Sequence, residues 1–193
     1  MSTTIVLHGG ATSKETPKNN DFFSLLTSLP KKQKVRAAMC YWARDRDTWD
    51  KVFNRDKEKI LRTKSKEIEF ILPETPADFF QVINSCDLMY VAGGEAYNIE
   101  PLYKNLKDLK KYLDGKIYLG SSMGAFMASQ HYVLSSDEKD ATKVVDGIGL
   151  IDIQCLAHYD IEPEKDRKLA LLRNHSKLPI LTLDECEFIK FEI

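Results

Sequence analysis

The stretch Ile117-Tyr118-Leu119-Gly120-Ser121-Ser122-Met123-Gly124-Ala125 decides how this chain is read. Its first three residues form a short apolar run of the kind that makes a buried strand. The run passes without a linker into G-x-S-x-G, and Ala125 to Gln130 then has helical character. A strand, a tight turn and a helix in immediate succession describe a nucleophile elbow. The turn holds its central serine in a strained conformation with the hydroxyl exposed, and small residues two before and two after keep the backbone from clashing. Ser122 is the residue so placed.

Working outward, apolar runs alternate with amphipathic ones. Thr4 to His8, Val35 to Trp42, Ile68 to Leu72 and Leu88 to Ala92 read as strands before the elbow. Between them, Asp21 to Leu29 and Asp45 to Lys64 have helical spacing, and Thr75-Pro76 opens a helix reaching about Ser85. A further helix is expected from Ile99 to Leu113, stopped by Gly115. Continuously apolar strands separated by helices mark a parallel sheet covered on both faces. After the elbow, Val144 to Ile153, Leu156 to Tyr159, Ile180 to Leu183 and Phe188 to Phe191 read as shorter strands, with a helix over Pro163 to His175. The expectation is one α/β domain over residues 1–193, a doubly wound, mostly parallel sheet with a mixed or antiparallel edge near the C-terminus.

In such sheets the loops at the C-terminal strand ends share one crevice. Here His8-Gly9-Gly10, Gly93-Gly94 and Gly120 to Gly124 occupy those ends. A serine nucleophile needs a base, and there are four histidines. His158 follows an apolar run and ends a strand, as the elbow does, so it is the first choice. His8 also ends a strand and is the minor one. His131 and His175 read as ordinary surface or packed imidazoles. For the acid, Asp137, Glu138, Asp140, Asp160 and Asp184 all lie downstream, and acidic residues in loops are usually just solvated.

Composition excludes several functions. The 193 residues carry 28 Lys and Arg against 29 Asp and Glu, a net charge of -1. That gives neither nucleic acid nor an anionic membrane the basic excess it needs. The longest apolar run, Ala37 to Ala43, is too short to span a bilayer, and the N-terminus does not read as a secretion signal. The four cysteines, Cys40, Cys86, Cys155 and Cys186, form no C-x-x-C pair. The simplest reading is a reduced, cytoplasmic protein with no metal and no cofactor. His8-Gly9-Gly10-Ala11-Thr12 lacks the lysine and spacing of a phosphate loop, which places a nucleotide-binding reading last.

Taken in order, these segments resemble the dipeptidase E and cyanophycinase family of serine peptidases, whose fold is like that of class I glutamine amidotransferases. Tyr90-Val91-Ala92-Gly93-Gly94-Glu95-Ala96-Tyr97 is similar to that family's strand ending in Gly-Gly-Asn-Thr. Gly120-Ser121-Ser122-Met123-Gly124-Ala125 matches its G-x-S-A-G-A elbow. Asp146 to Leu150 with Ala157-His158-Tyr159-Asp160, and then Leu181 to Glu185, match its later stretches. The resemblance implies Ser122 as nucleophile, His158 as base, Asp137 as the acid, and backbone N–H groups of Gly94 and Met123 as the oxyanion hole. Glu138 stands next for the acid after a one-residue slip, and Asp160 third. Glu95-Ala96 in place of Asn-Thr and Met123 in place of Ala are departures that bear on specificity.

The expected activity is a serine hydrolase, a peptidase acting on small peptides or amides through an acyl-enzyme on Ser122. The alternatives are an esterase or acylase with the same triad, or a non-catalytic binding domain on the same scaffold. A homodimer is compatible with the sequence.

Overall fold

The computed structural model describes residues 2–62, 66–136 and 141–193. The first half lays down β1 (Thr4–His8), α1 (Pro17–Ser28), β2 (Lys34–Cys40), α2 (Trp49–Arg62), β3 (Glu67–Ile71), α3 (Pro76–Val82) and β4 (Leu88–Val91). Short helices α4 (Ala96–Ile99), α5 (Tyr103–Leu106) and α6 (Leu109–Tyr112) lead to β5 (Ile117–Ser121) and α7 (Met123–Ala128). Then come β6 (Ser129–Val133), β7 (Val144–Asp146), β8 (Ile151–Ala157), α8 (Lys165–His175), β9 (Ile180–Leu183) and β10 (Phe188–Glu192).

The main sheet has six strands in the order β10-β1-β5-β4-β2-β3, and every pairing is parallel except that of β10 with β1. Every residue of β4 and β5 is buried, because helices cover both faces, and this explains their unbroken apolar character. At the outer edge, β3 is only partly buried and puts Glu67 and Glu69 outside. This is the doubly wound, mostly parallel arrangement with an antiparallel edge that the sequence predicts.

Local signals set the helix starts. Thr16 caps α1 by accepting from the Asn19 N–H, with Pro17 next. Thr75 and Asp78 form a reciprocal capping box ahead of α3. The helix expected over Ile99 to Leu113 is instead three short pieces. Pro101 lies in a 3₁₀ turn over Glu100–Leu102, where its ring and missing N–H are incompatible with a continuous α-ladder.

The last third forms a second sheet of four strands, β7-β6-β8-β9. The helix after the elbow stops at Ala128, and the chain enters β6 at once, so His131 sits on a strand. Gly147 to Gly149 divides the single strand expected over Val144 to Ile153 into β7 and β8. Gly149 has φ +67°, and a side chain on Gly147 would lie 2.1 Å from the Ser129 carbonyl oxygen, so this corner is close-packed. One continuous apolar core runs from β1, β4 and β5 through α7 to Leu150, Ile153 and Cys155 of the second sheet. All four cysteines are buried and unpaired.

The helix α2 departs from its sequence reading in one respect. Its inward face carries charge as well as Trp49, Val52 and Ile60, because Asp56 and Lys59 are also buried. Asp56 accepts from the hydroxyls of Tyr41 (3.2 Å) and Tyr90 (3.3 Å) and from Arg55 (2.9 Å). Lys59 donates to the carbonyls of Thr12 (3.0 Å) and Lys14 (2.9 Å). It therefore fixes the loop between β1 and α1.

Candidate active site

The crevice lies where the C-terminal ends of strands from both sheets meet. β1, β4 and β5 contribute their glycine loops, and β8 and β9 contribute His158 and Glu185. Backbone hydrogen bonds join these loops across sequence. Ser122 N–H donates to His8 O (2.9 Å), His158 N–H to Gly9 O (3.1 Å), Tyr159 N–H to Leu183 O (3.0 Å) and Cys186 N–H to Gly10 O (3.1 Å).

Three of these residues are held in conformations that L-amino acids avoid, Cys186 with φ 65° among them. Ser122 has φ 50° with ψ −108°, and His158 has φ 55°. Strain of this kind costs on the order of 1–3 kcal/mol per residue and persists only where surrounding bonds fix it. The anchored N–H of each residue is such a bond. The turn also needs its small neighbours. A side chain on Gly124 would lie 2.4 Å from Val91 O, and one on Gly93 would lie 2.8 Å from Ser122 Cβ. Gly10, with φ +109°, lies against the His158 ring, where a Cβ would sit 2.2 Å from Cε1.

Ser122 Oγ lies 3.0 Å from His158 Nε2, and His158 Nδ1 lies 2.9 Å from Glu185 Oε1. The three side chains form a hydrogen-bonded chain at the cleft wall. Glu185 is largely buried and its second oxygen is paired with Lys14. Burial alone would raise its carboxyl above the ordinary range, but the bonds from Lys14 and then His158 outweigh it and hold the carboxyl low. Its backbone N–H donates to Asp160 Oδ1 at 2.8 Å.

The sequence-predicted residues fall as follows. Ser122 and His158 are brought together. Met123 is the first residue of α7, so the helix itself offers its N–H no carbonyl. Gly94 and Glu95 line the same cleft, and Gly94 is pressed so close to Ala43 that a Cβ would lie 2.1 Å from its carbonyl oxygen. Asp137 and Glu138 lie outside the described residues. Asp160 meets the backbone of Glu185. His8 is fully buried, with Nε2 2.9 Å from Asn19 Oδ1 and Nδ1 accepting from the Gly10 N–H at 3.0 Å. Burial pushes its pKa down to about 4; the bond to Asn19 opposes this and the proximity of His158 adds to it. His8 is thus a neutral, packed imidazole that shapes the loop beneath Ser122.

The carboxylate that meets His158 is therefore Glu185, which the sequence reading quoted within a motif without giving it this place. The available signal was positional, since it lies two residues past the end of β9, as His158 lies one past the end of β8. Lys14 was missed as well, being one lysine in a polar loop.

The cleft has a volume of about 660 Å³, within the range of pockets that take small ligands. Arg44 and Arg55 line it, and Arg44 Nε is buried with no hydrogen-bond partner among the described residues. Glu162 lines it too, and is held by Lys168 (2.8 Å), by the Ser136 N–H (3.1 Å) and by the Ser136 hydroxyl.

The family model of peptidase family S51 matches residues 5–192. The chain belongs to peptidase family S51, a serine-type hydrolase family. Solved structures agree on the fold. One described as a peptidase from an acI-B1 actinobacterium superposes with TM-score 0.70 at 16% identity, covering 99% of this chain and 84% of that one. A protein from Listeria monocytogenes EGD-e named for peptidase E gives TM-score 0.66 at 16% identity, covering 100% and 95%. Among curated proteins, none matches significantly. Among the described residues no helix is long and apolar enough to cross a membrane.

Proposed function

We propose that this S51 chain is a peptidase that cleaves small peptides through an acyl-enzyme on Ser122. The observation that carries the reading is the unbroken chain from Ser122 Oγ through His158 to Glu185 at 3.0 and 2.9 Å. With the Glu185 carboxylate accepting from Nδ1–H, neutral His158 presents its Nε2 lone pair to the serine hydroxyl. Ser122 Oγ attacks the scissile carbonyl as its proton passes to Nε2. The oxyanion is met by the N–H groups of Gly94 and Met123. The imidazolium, stabilised by Glu185, then protonates the leaving amine, and water releases the acyl group by the same steps in reverse.

Arg44 supports a finer reading of the substrate. A guanidinium with an unpartnered buried Nε at the cleft wall suits a carboxylate of the peptide, since a charged, desolvated donor gains most from a charged acceptor.

A fluorophosphonate probe followed by intact-mass and peptide mapping tests the nucleophile without knowledge of the substrate. The expected adduct is on Ser122 and is absent from Ser122→Ala. On whatever dipeptide a library identifies, that variant loses about 10⁴- to 10⁶-fold in kcat. A variant that keeps most of its turnover overturns the proposal.

A further inference from the structure

On the outer part of the second sheet, away from the cleft, donor atoms of His131, Asp146 and His175 all lie within 4.8 Å of one another. They come from three different elements. His131 on β6 and Asp146 on β7 are directly paired across the antiparallel ladder, and His131 Nδ1 lies 2.8 Å from Asp146 Oδ1. His175 is the last residue of α8, which packs on both strands. Its ring stands at 79° to that of His131, with centroids 4.5 Å apart. We propose that these three side chains bind one first-row divalent transition ion, zinc foremost.

The donor set selects the class of ion. Two imidazoles and one carboxylate suit zinc and its neighbours, whereas calcium and magnesium favour all-oxygen shells. Three protein ligands leave the fourth tetrahedral position to water. Bonds of about 2.0–2.1 Å put donor atoms about 3.4 Å apart in a tetrahedron, so the side chains need to close by no more than about 1.5 Å. Asp146 and His175 are exposed, while His131 is mostly buried and lies on a paired strand. The setting also favours a cation, because α8 directs the negative end of its dipole at His175.

An ion pair between His131 and Asp146 accounts for two of the three groups. It does not account for a second imidazole brought alongside, which as a cation would repel the first. A bound ion uses all three. It would fasten the C-terminal end of α8 to the β6–β7 hairpin, and the same helix carries Lys168, which holds Glu162 at the cleft wall.

The test uses the full chain, purified without a histidine tag and stripped with chelator. Zinc chloride is titrated by calorimetry, and cobalt(II) is added in parallel to read tetrahedral coordination from its visible bands. A His158→Ala sample is included so that an ion in the cleft is counted separately. The expected result is one equivalent bound with tetrahedral cobalt bands, an affinity lowered at least tenfold in both His175→Gln and Asp146→Asn, and a thermal midpoint raised by zinc only in the unaltered chain and His158→Ala. Both substitutions are at exposed positions, and circular dichroism checks their fold. Absence of stoichiometric binding, or an affinity unchanged in either variant, overturns the proposal.

Discussion

Replacing Glu185 by Gln changes one atom's chemistry while keeping the side chain's shape, and the surroundings make its effect severe. The carboxylate uses one oxygen for His158 Nδ1 and the other for Lys14. An amide has one oxygen for two donors. The Lys14 ammonium claims it, because that bond is charge-assisted, and the amide NH₂ is turned toward Nδ1. His158 then keeps its proton on Nε2, where it faces Ser122 and cannot accept. Restoring the productive tautomer requires giving up the bond to Lys14. The imidazolium formed during attack also loses an opposite charge about 4 Å away, worth about 4 kcal/mol at an effective dielectric of 20. The lost charge alone corresponds to a rate loss of about 10³-fold, and the wrong tautomer adds to it. The assay is the second-order rate of fluorophosphonate labelling at Ser122, repeated as kcat/KM once a peptide substrate is in hand. Adding Lys14→Met frees the amide to flip and should recover the tautomer part of the loss, leaving the part due to the missing charge. Asp137→Asn and Glu138→Gln, measured alongside, should label at close to the rate of the unaltered protein. Labelling of Glu185→Gln within tenfold of that rate, or a comparable loss in Asp137→Asn, would refute the reasoning.

Gly10→Ala should lower kcat about 100-fold with Ser122 and His158 both present, because a Cβ there collides with the imidazole; crystallography of the variant should show the ring displaced. His8 binds a proton near 6.5 when unfolded but near 4 when folded, so the unfolded state holds more protons between those values and stability falls on acidification through that window. The loss is about 3 kcal/mol; urea titrations from pH 7 to 4.5 should show a shallower pH slope for His8→Gln, and identical slopes would sink the idea. Arg44→Met should raise KM about 10- to 100-fold for peptides bearing a carboxylate at that subsite, with fluorophosphonate labelling unchanged; an equal effect on uncharged peptides would refute the carboxylate reading.

The main sheet was legible because its chemistry is local. A strand buried on both faces must be apolar throughout, and a glycine loop must follow where backbone crosses backbone. Thr4–His8, Leu88–Val91 and Ile117–Ser121 therefore stand out on the page with nearly their true bounds. Ser122 was legible for the same reason, since strain at the elbow needs small neighbours close in sequence. The second sheet obeys no such local rule. β6 follows α7 without a linker, and its Gln130 and His131 are only partly buried, so the apolar signal that marks β4 is missing. Pro101 lies inside the stretch expected as one helix, and its ring and missing N–H break that stretch at the 3₁₀ turn.

Glu185 shows how a site residue can stay hidden. It is 27 residues from His158, and no spacing rule joins them. What joins them is register: β8 pairs with β9 so that Ala157 lies opposite Leu183, which sets His158 level with Asp184 and leaves Glu185 one residue further on. The left-handed turn at His158 and the bond from Tyr159 N–H to Leu183 O then swing the imidazole back toward that neighbour. The Glu185 N–H is tied to Asp160, so the residue that reads as a rival acid helps place the one that meets Nδ1. A sequence shows which residues end strands; which strand ends meet is decided by pairing between β8 and β9 and by the loops that join their sheet to β1 and β5. For this chain the placing of Ser122 is a local property, and the meeting of His158 with Glu185 is a tertiary one.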